Sequence, residues 1–288
     1  MEYYYKCFSR VIKLVLETKK NRELDFWIER FCPNVEIIGN KNYYDMTIEC
    51  FNSSNYDYII KDKHISIYGK MIKYSSFLAK FITQVFQYLL INDEILFIPA
   101  ACVTDEEKCM LILGDFWQGK TSTALSITKK YKLSLVSDNY VAIKNYRVIG
   151  ATKYISVRQE DINDDSKSIL KINNRHFFRN ETKYGYKPLK INYFLLPFIN
   201  GSDNNIHLIS KEESKWYLYQ KLIRLLSGEC VLFNGNLPSP IFLNKKNSIL
   251  ILNIVNKLLC KLDILYISAS MNNIVEYAIQ QFEGDNNE

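Results

Sequence analysis

Hydrophobic and polar residues alternate in two different ways along the chain, and the change falls near residue 92. Up to about residue 75, short β-like runs such as VEIIG, YDMTIEC, YDYIIK and HISIYG are separated by turn-forming Asn, Ser and Asp. The next run, SSFLAKFITQVFQYLLI, has apolar residues at helical spacing after a Ser pair that suits an N-cap. The pattern predicts a sheet-rich N-terminal region, residues 1–92, that ends in a linking helix.

The remainder, residues 93–288, alternates apolar strands with helices. EILFIPAACV and KCMLILG predict consecutive strands, a helix is predicted from Lys120 to about Lys130, and LSLVSDNYVAI predicts a strand and turn. YISV and INYFLLPFI are the clearest strands of a loop-rich stretch, and KEESKWYLYQKLIRLLS predicts a helix with acidic residues in its first turn. DILYISASMNNIVEYAIQQFE predicts a final strand and helix. This order predicts an α/β fold.

Composition narrows the class of protein. The 288 residues are 48% hydrophobic, and the net charge of +6 is spread along the chain rather than concentrated, which disfavours nucleic-acid binding. The longest apolar runs are broken by Lys, Gln or Asn, the N-terminus lacks the pattern of a secretion signal, and the seven cysteines form no C-x-x-C pair. We therefore predict a cytoplasmic protein with no membrane span and reduced thiols.

The stretch GDFWQGKT, Gly114–Thr121, matches the phosphate-binding pattern G-x-x-x-x-G-K-[ST]. An apolar strand, CMLIL, precedes it and a helical pattern, TSTALSITKKY, follows it, which is the context that such a loop requires. Backbone N–H groups of this turn would bind phosphate oxygens, Lys120 would reach the β- and γ-phosphates, and Thr121 would ligate Mg²⁺. The predicted nucleotide-binding residues are Gly114, Asp115, Phe116, Trp117, Gln118, Gly119, Lys120, Thr121 and Ser122.

A second polar site follows at the end of the strand LSLVSDN. Asp138 stands where P-loop proteins place the carboxylate that orders Mg²⁺, and Asn139 follows it directly. The predicted metal ligands are Thr121, Asp138 and Asn139. Phe116 and Trp117 occupy free positions of the loop pattern, where they either pack over the loop or shield the site.

Together, residues 93–143 resemble the core of the HPr kinase/phosphorylase family. Relatives of that family include lasso-peptide kinases, and its nucleotide-binding core is shared with ATP-dependent phosphoenolpyruvate carboxykinases. The resemblance extends more loosely over residues 80–285. It implies a P-loop kinase core of the HPr-kinase/phosphoenolpyruvate-carboxykinase type, joined to the small sheet-rich N-terminal region, which would serve as a substrate-recognition module.

By position, Gly114, Gly119, Lys120 and Thr121 match the family's phosphate loop, and Asp138 matches the first acid of its Asp-Asp pair. The resemblance implies catalytic roles for Asp138 and Lys120, and for Arg158, which is similar to a basic position downstream in related kinases. A surface Arg on an edge strand is the alternative for Arg158.

Two positions depart from the family pattern. Asn139 replaces the second acid, and Pro99-Ala100 stands where the family often has His-Ala or His-Gly. Asn can ligate a metal but cannot act as a base. His176, between Arg175 and Arg179, is expected to be structural, and the acids in QEDINDDS (Asp161, Asp164 and Asp165) are expected to form a solvated loop.

The resemblance implies an ATP- and Mg²⁺-dependent kinase that transfers the γ-phosphoryl group to a hydroxyl. The relatives use as acceptor a Ser of a small protein or of a ribosomally made peptide, so such a molecule is the expected partner. Two alternatives stay open at this stage: a degenerate nucleotide-binding sensor or scaffold protein, and a kinase of a small metabolite. The sequence is also compatible with a homo-oligomer.

Overall fold

The computed structural model of the 288-residue chain describes most of it in detail. The described residues are 1–20, 22–70, 75–115, 118–158, 168–172, 174–180, 187–200, 204–227, 231–232, 237–238 and 240–284.

Helices and strands alternate within the described part of the chain. Its six α-helices are α1 Arg22–Phe31, α2 Ser75–Leu90, α3 Lys120–Lys130, α4 Lys211–Ile223, α5 Lys245–Leu259 and α6 Met271–Gly284. The strands of the first half are β1 Glu2–Cys7, β2 Arg10–Leu16, β3 Val35–Ile38, β4 Met46–Phe51, β5 Asp57–Lys61, β6 His64–Tyr68, β7 Leu96–Ile98, β8 Ala101–Thr104, β9 Lys108–Ile112, β10 Ser134–Ser137 and β11 Val141–Lys144. Those of the second half are β12 Arg147–Ala151, β13 Tyr154–Arg158, β14 Leu170–Ile172, β15 Arg175–Arg179, β16 Leu189–Ile199, β17 Asn205–Leu208, β18 Val231–Leu232, β19 Leu237–Pro238 and β20 Ile264–Ala269.

The chain divides into two compact units. The first combines Met1–Leu96 with Lys221–Ile251, and the second combines Phe97–Gln220 with Leu252–Glu288. The sequence pattern puts a boundary near residue 92 and assigns everything beyond it to one region. The structure instead adds the later segment, Lys221–Ile251, to the N-terminal unit.

The first unit contains a six-stranded sheet in the order β3-β1-β2-β4-β6-β5. The pairs β2–β4 and β4–β6 are parallel, whereas β1–β2, β1–β3 and β5–β6 are antiparallel. Alternate residues of these strands are fully buried, as with Ile12 and Leu14 or Ile65 and Ile67. The sheet and the helix at Ser75–Leu90 confirm the predicted N-terminal pattern.

The second unit contains a larger sheet in the order β10-β8-β9-β16-β12-β11-β7. The long strand β16 is parallel to β9 on one side, and on the other side its last six residues are parallel to β20. Helices α3 and α6 pack on this sheet, where Ala124 and Ile127 of α3 and Ile274 of α6 share one hydrophobic core with Ile112 and Leu195. Covered parallel strands are apolar at nearly every position, which explains the continuous hydrophobic runs of the sequence.

A smaller sheet, in the order β13-β15-β14, belongs to the same second unit. The architecture is therefore mixed α/β, with several sheets and helices, as the alternation predicts. Helix α5 is an element that the sequence analysis leaves unassigned. Among the described residues, no helix is long and apolar enough to cross a membrane.

The cysteines of the structure lead to a testable prediction about thiol reactivity. Cys7, Cys50 and Cys109 are buried, and burial raises the pKa of each thiol, whereas Cys260 at the end of α5 is exposed. Since the thiolate is the reactive form, we expect iodoacetamide to modify Cys260 in the folded protein far faster than these three. Mass spectrometry of tryptic peptides measures this, with urea-unfolded protein as the control in which all four react. Equal labelling of Cys50 and Cys260 in the folded protein would contradict the burial pattern.

Candidate active site

The candidate site lies at one edge of the large sheet, where several strands of the second unit begin or end. Because β9, β16 and β20 are parallel, their carboxyl ends meet at the same edge. The pairing of β9 with β16 continues just beyond β9, where the Leu113 N–H donates to the Leu195 carbonyl at 2.7 Å. Ligands of open sheets with parallel strands bind at such carboxyl edges. The predicted phosphate loop begins there, at residue 114.

The antiparallel strands β8 and β10 bring Asp138 to this edge as well. Ala101 pairs with Ile112, and Ser137 pairs with Cys102, so β8 begins and β10 ends beside the end of β9. Asp138 directly follows β10 and is separated from the loop strand by β8 alone. Two strand spacings amount to about 10 Å, which is a distance that a nucleotide's phosphates can span.

Two glycines of the loop have positive φ angles, which residues with a side chain adopt only at an energetic cost. Gly114 has φ +141° and Gly119, which directly precedes α3, has φ +81°. A Cβ atom on Gly119 would lie 2.2 Å from Cδ1 of Ile199, the last residue of β16. The loop therefore packs closely on the Ile199 side chain at the end of the neighbouring strand, and the left-handed conformation favours glycine at position 119.

The side chain of Lys120 folds back over the loop. Its ammonium group donates to the carbonyls of Gly114 at 2.8 Å and Asp115 at 2.7 Å. The Gln118 side-chain oxygen accepts from the Asp115 N–H, and the Gln118 N–H donates to the Asp115 carbonyl at 3.3 Å. These contacts hold a positive charge at the loop that the sequence assigns to phosphate.

Helix α3 begins at Lys120, so Thr121 and Ser122 lie in its first turn and are partly buried. The Thr123 N–H donates to the Gly119 carbonyl at 2.8 Å, which closes the first helical turn. N–H groups of a first turn and the positive end of the helix macrodipole attract anions. Phe116 and Trp117, two of the predicted loop residues, lie outside the described residues.

Asp138 is a buried carboxylate, with 5% of its surface exposed. Its Oδ2 atom accepts a hydrogen bond from the Ser156 backbone N–H of β13 at 3.1 Å. The Ser137 hydroxyl fixes the preceding turn, because it donates to the Tyr140 carbonyl at 2.9 Å and accepts from the Asn139 N–H at 3.3 Å. Charge-assisted hydrogen bonds from backbone N–H groups stabilise a carboxylate at low exposure.

Pro99-Ala100, which the resemblance compares with a His-Ala or His-Gly pair, directly precedes β8 and therefore lies at the same edge. Ala100 is fully buried, and neither residue has a titratable group. Asp138 directly follows the last residue of β10. Asn139 is the next residue of the turn, and its N–H donates to the Ser137 hydroxyl.

Arg158 ends β13 and lies directly opposite Arg175 of β15. Arg175 donates from Nη1 to the Ser156 hydroxyl at 2.7 Å, so Ser156 contacts Asp138 through its backbone and Arg175 through its side chain. His176 is 2% exposed and its ring stacks on that of Phe178, which fits the structural role expected for it. Asp161, Asp164 and Asp165 lie outside the described residues.

Ser156 and Arg175 are the site residues that sequence reasoning missed. Arg175 appears in the sequence only as one basic residue of a polar stretch, and Ser156 as a polar position in the strand YISVR. Alternation in YISVR puts Ser156 and Arg158 on one face of the strand, and this was the available signal. The pairing of β13 with β15 could not be predicted from the sequence, because a long connection separates the two strands.

The oxygen donors at this edge fit a magnesium ion. Among the described residues, no group of three or more His, Cys, Asp or Glu side chains could hold a metal alone. Mg²⁺ in nucleotide sites instead takes one or two protein oxygens, with phosphate oxygens and waters completing its octahedron. The Thr121 hydroxyl, the Asp138 carboxylate and the Asn139 amide oxygen supply donors of that kind.

No protein-family model matches the chain, and no curated protein matches it.

The contact between Gly119 and Ile199 predicts the effect of a single methyl group. Gly119→Ala forces an L-residue into a left-handed conformation, which costs about 1–2 kcal/mol, and also creates the clash with Ile199. We expect the free energy of unfolding to fall by at least that amount. Adding Ile199→Ala should recover the steric part but not the conformational part. Urea denaturation followed by circular dichroism measures both.

Gly39→Ala is the matched control for this prediction, because a Cβ atom at Gly39 meets nothing within 4 Å. Equal stability of the Gly119→Ala and Gly39→Ala proteins would contradict the loop geometry.

Proposed function

We propose that this protein is a Mg²⁺-dependent kinase that transfers the γ-phosphoryl group of ATP to a hydroxyl group. One observation carries the proposal: a glycine-dependent loop with Lys120 folded over it and the buried carboxylate of Asp138 lie at the same sheet edge, separated by one strand. A phosphate-binding loop and a nearby carboxylate are the two parts that phosphoryl transfer needs most. The resemblance of residues 93–143 to the HPr kinase/phosphorylase core agrees with this pairing.

Nucleotide binding in this proposal depends on the loop and the start of α3. The N–H groups of residues 114–122 and the Lys120 ammonium bind the phosphate oxygens, and the Thr121 hydroxyl, Asp138 and Asn139 hold Mg²⁺. The bound ion neutralises charge on the phosphates during transfer. The close packing of Gly119 on Ile199 supports this role, since it puts the loop against the end of β16.

Asp138 is proposed to orient the acceptor hydroxyl and accept its proton. The hydroxyl oxygen forms a bond to the γ-phosphorus, the bond from that phosphorus to the β–γ bridging oxygen breaks, and ADP leaves with the electron pair. The Ser156 N–H holds Oδ2 of Asp138 at 3.1 Å, which supports a fixed orientation of the carboxylate. A positioned general base contributes about 10²–10⁴-fold to such a reaction.

The proposed acceptor is a Ser of a peptide or small protein, as in the relatives that the sequence resembles. Unit one, with its six-stranded sheet, is the proposed recognition module. A cytoplasmic location is part of the same proposal, because the acceptors of those relatives and ATP are found there.

One observation favours a second candidate, a nucleotide sensor without catalysis. Asn139 follows Asp138 in the position of the family's second acid, and an amide cannot accept the proton of a hydroxyl. In that case ATP would bind, order the site and remain intact.

An experiment with γ-labelled ATP tests the kinase proposal. The purified chain is incubated with Mg²⁺, labelled ATP and a library of Ser-containing peptides, and transfer is followed by gel autoradiography. We expect Lys120→Ala to lose ATP affinity and phosphoryl transfer together, because the ammonium lies at the loop and is proposed to bind the phosphate oxygens. Asp138→Asn should retain ATP binding while transfer falls about 10²–10⁴-fold, because an amide cannot act as base.

Lys132→Ala is the matched control, since Lys132 is exposed and follows α3 at its far end. ATP binding without transfer to any acceptor in the wild-type protein would overturn the kinase proposal and favour the sensor. No ATP binding at all would overturn both.

A further inference from the structure

The small sheet β13-β15-β14 brings two arginines together beside the candidate active site. Arg158 and Arg175 are directly opposed in the antiparallel pair, so their side chains leave the same face of the sheet. The opposed positions concentrate positive charge on this face of the small sheet, which favours the binding of an anion.

Arg175 is held in place by a neutral group. Its Nη1 donates to the Ser156 hydroxyl at 2.7 Å, and within the described residues no carboxylate forms an ion pair with it. A guanidinium has five N–H donors in a planar fork, and carboxylates fit that fork with two parallel hydrogen bonds. The Ser156 contact orients the fork without cancelling its charge.

Ser156 also connects Arg175 to Asp138. The Ser156 N–H donates to Oδ2 of Asp138 at 3.1 Å while its hydroxyl accepts from Arg175, so one residue separates the carboxylate from the guanidinium. Ser156 is 2% exposed, and its contact with Asp138 is buried while its contact with Arg175 is partly buried.

The surroundings of Arg175 indicate which ligand it binds. The phosphate loop follows β9, β8 comes next, and β10 with Asp138 forms the edge of the large sheet. The small sheet attaches beyond that edge, because the Asn180 side chain donates to the Val136 carbonyl of β10. Arg175 is connected to Asp138 through Ser156, and Asp138 is the residue proposed to orient the acceptor hydroxyl, so we assign Arg175 to the acceptor rather than to ATP.

We propose that Arg175 binds the carboxylate of an acidic residue next to the accepting Ser, so that the substrate is an acidic peptide. This inference rests on the proposed kinase function. One residue of extended chain spans about 3.3 Å, so a hydroxyl at Asp138 and a carboxylate at Arg175 belong to adjacent or next-but-one positions of the same peptide.

Peptide binding tests this inference without requiring catalysis. Two fluorescein-labelled peptides differ at the residues that flank a central Ser, which are Asp in one and Asn in the other. We expect the whole 288-residue wild-type chain to bind the Asp peptide about 10- to 100-fold more tightly in fluorescence anisotropy, as a charge-assisted pair predicts. Arg175→Gln should abolish this preference, and Arg175→Lys, which keeps the charge but loses the fork, should retain part of it.

Arg179→Gln is the matched control, because Arg179 is an exposed arginine on the same strand and is paired with Tyr154, away from Ser156. It should keep the preference for the Asp peptide. An equal loss in Arg179→Gln would assign the preference to general surface charge and overturn the proposal, as would a preference that survives in Arg175→Gln. Thermal unfolding of each variant identifies any that fails to fold.

Nucleotide affinities separate the two possible sources of the oxyanion. If Arg175→Gln weakens ATP relative to ADP while peptide binding is unchanged, the guanidinium binds the γ-phosphate and the acceptor assignment is wrong. If the Asp preference depends on Arg175 but no label is transferred from ATP, the acidic-peptide site stands and the kinase proposal fails.

Discussion

The parallel pairing of β16 with β9 and β20 is the constraint on which the candidate site depends. It brings three carboxyl ends to one edge, and it puts Ile199, at the end of β16, against Gly119 of the loop that follows β9. The loop is therefore supported by a strand about eighty residues later in the sequence. Without this pairing, Gly119 would lose its support from β16, and the N–H groups at the start of α3 that are proposed to bind phosphate would be less well aligned in advance.

The site also depends on how its charged groups are held. Ser156 contacts Asp138 with its backbone N–H and Arg175 with its hydroxyl, so a neutral residue fixes both an anion and a cation. A direct ion pair between the two would orient them equally well, but it would satisfy each charge with the other. The neutral Ser156 hydroxyl therefore positions Arg175 without cancelling its charge.

Structural features that depend on local sequence patterns could be predicted, whereas those that depend on contacts between distant segments could not. The α/β class follows from the alternation of apolar runs, and the loop and Asp138 were found because strand, loop, helix, strand and acid follow one another in one short segment. The sequence pattern does not identify helix α5, because the run ILILNIVNKLL is apolar at most positions and hides the helical period. In the structure Ile251, Ile254, Val255 and Leu258 are buried at helical spacing. The assignment of Lys221–Ile251 to the first unit needs contacts that no local pattern contains.

The pairing of Arg158 with Arg175 shows why the remaining part of the site could not be predicted. Strand alternation fixes the face on which each side chain lies, but the register between β13 and β15 is set by where the strands meet, and a shift of one residue would move Arg175 to the opposite face, away from Ser156. The register is held from the other end of the pair, where the Asn180 N–H donates to the Lys153 carbonyl at 2.7 Å. A single backbone contact far from the chemistry thus helps to decide whether a cation stands beside the Asp138 carboxylate.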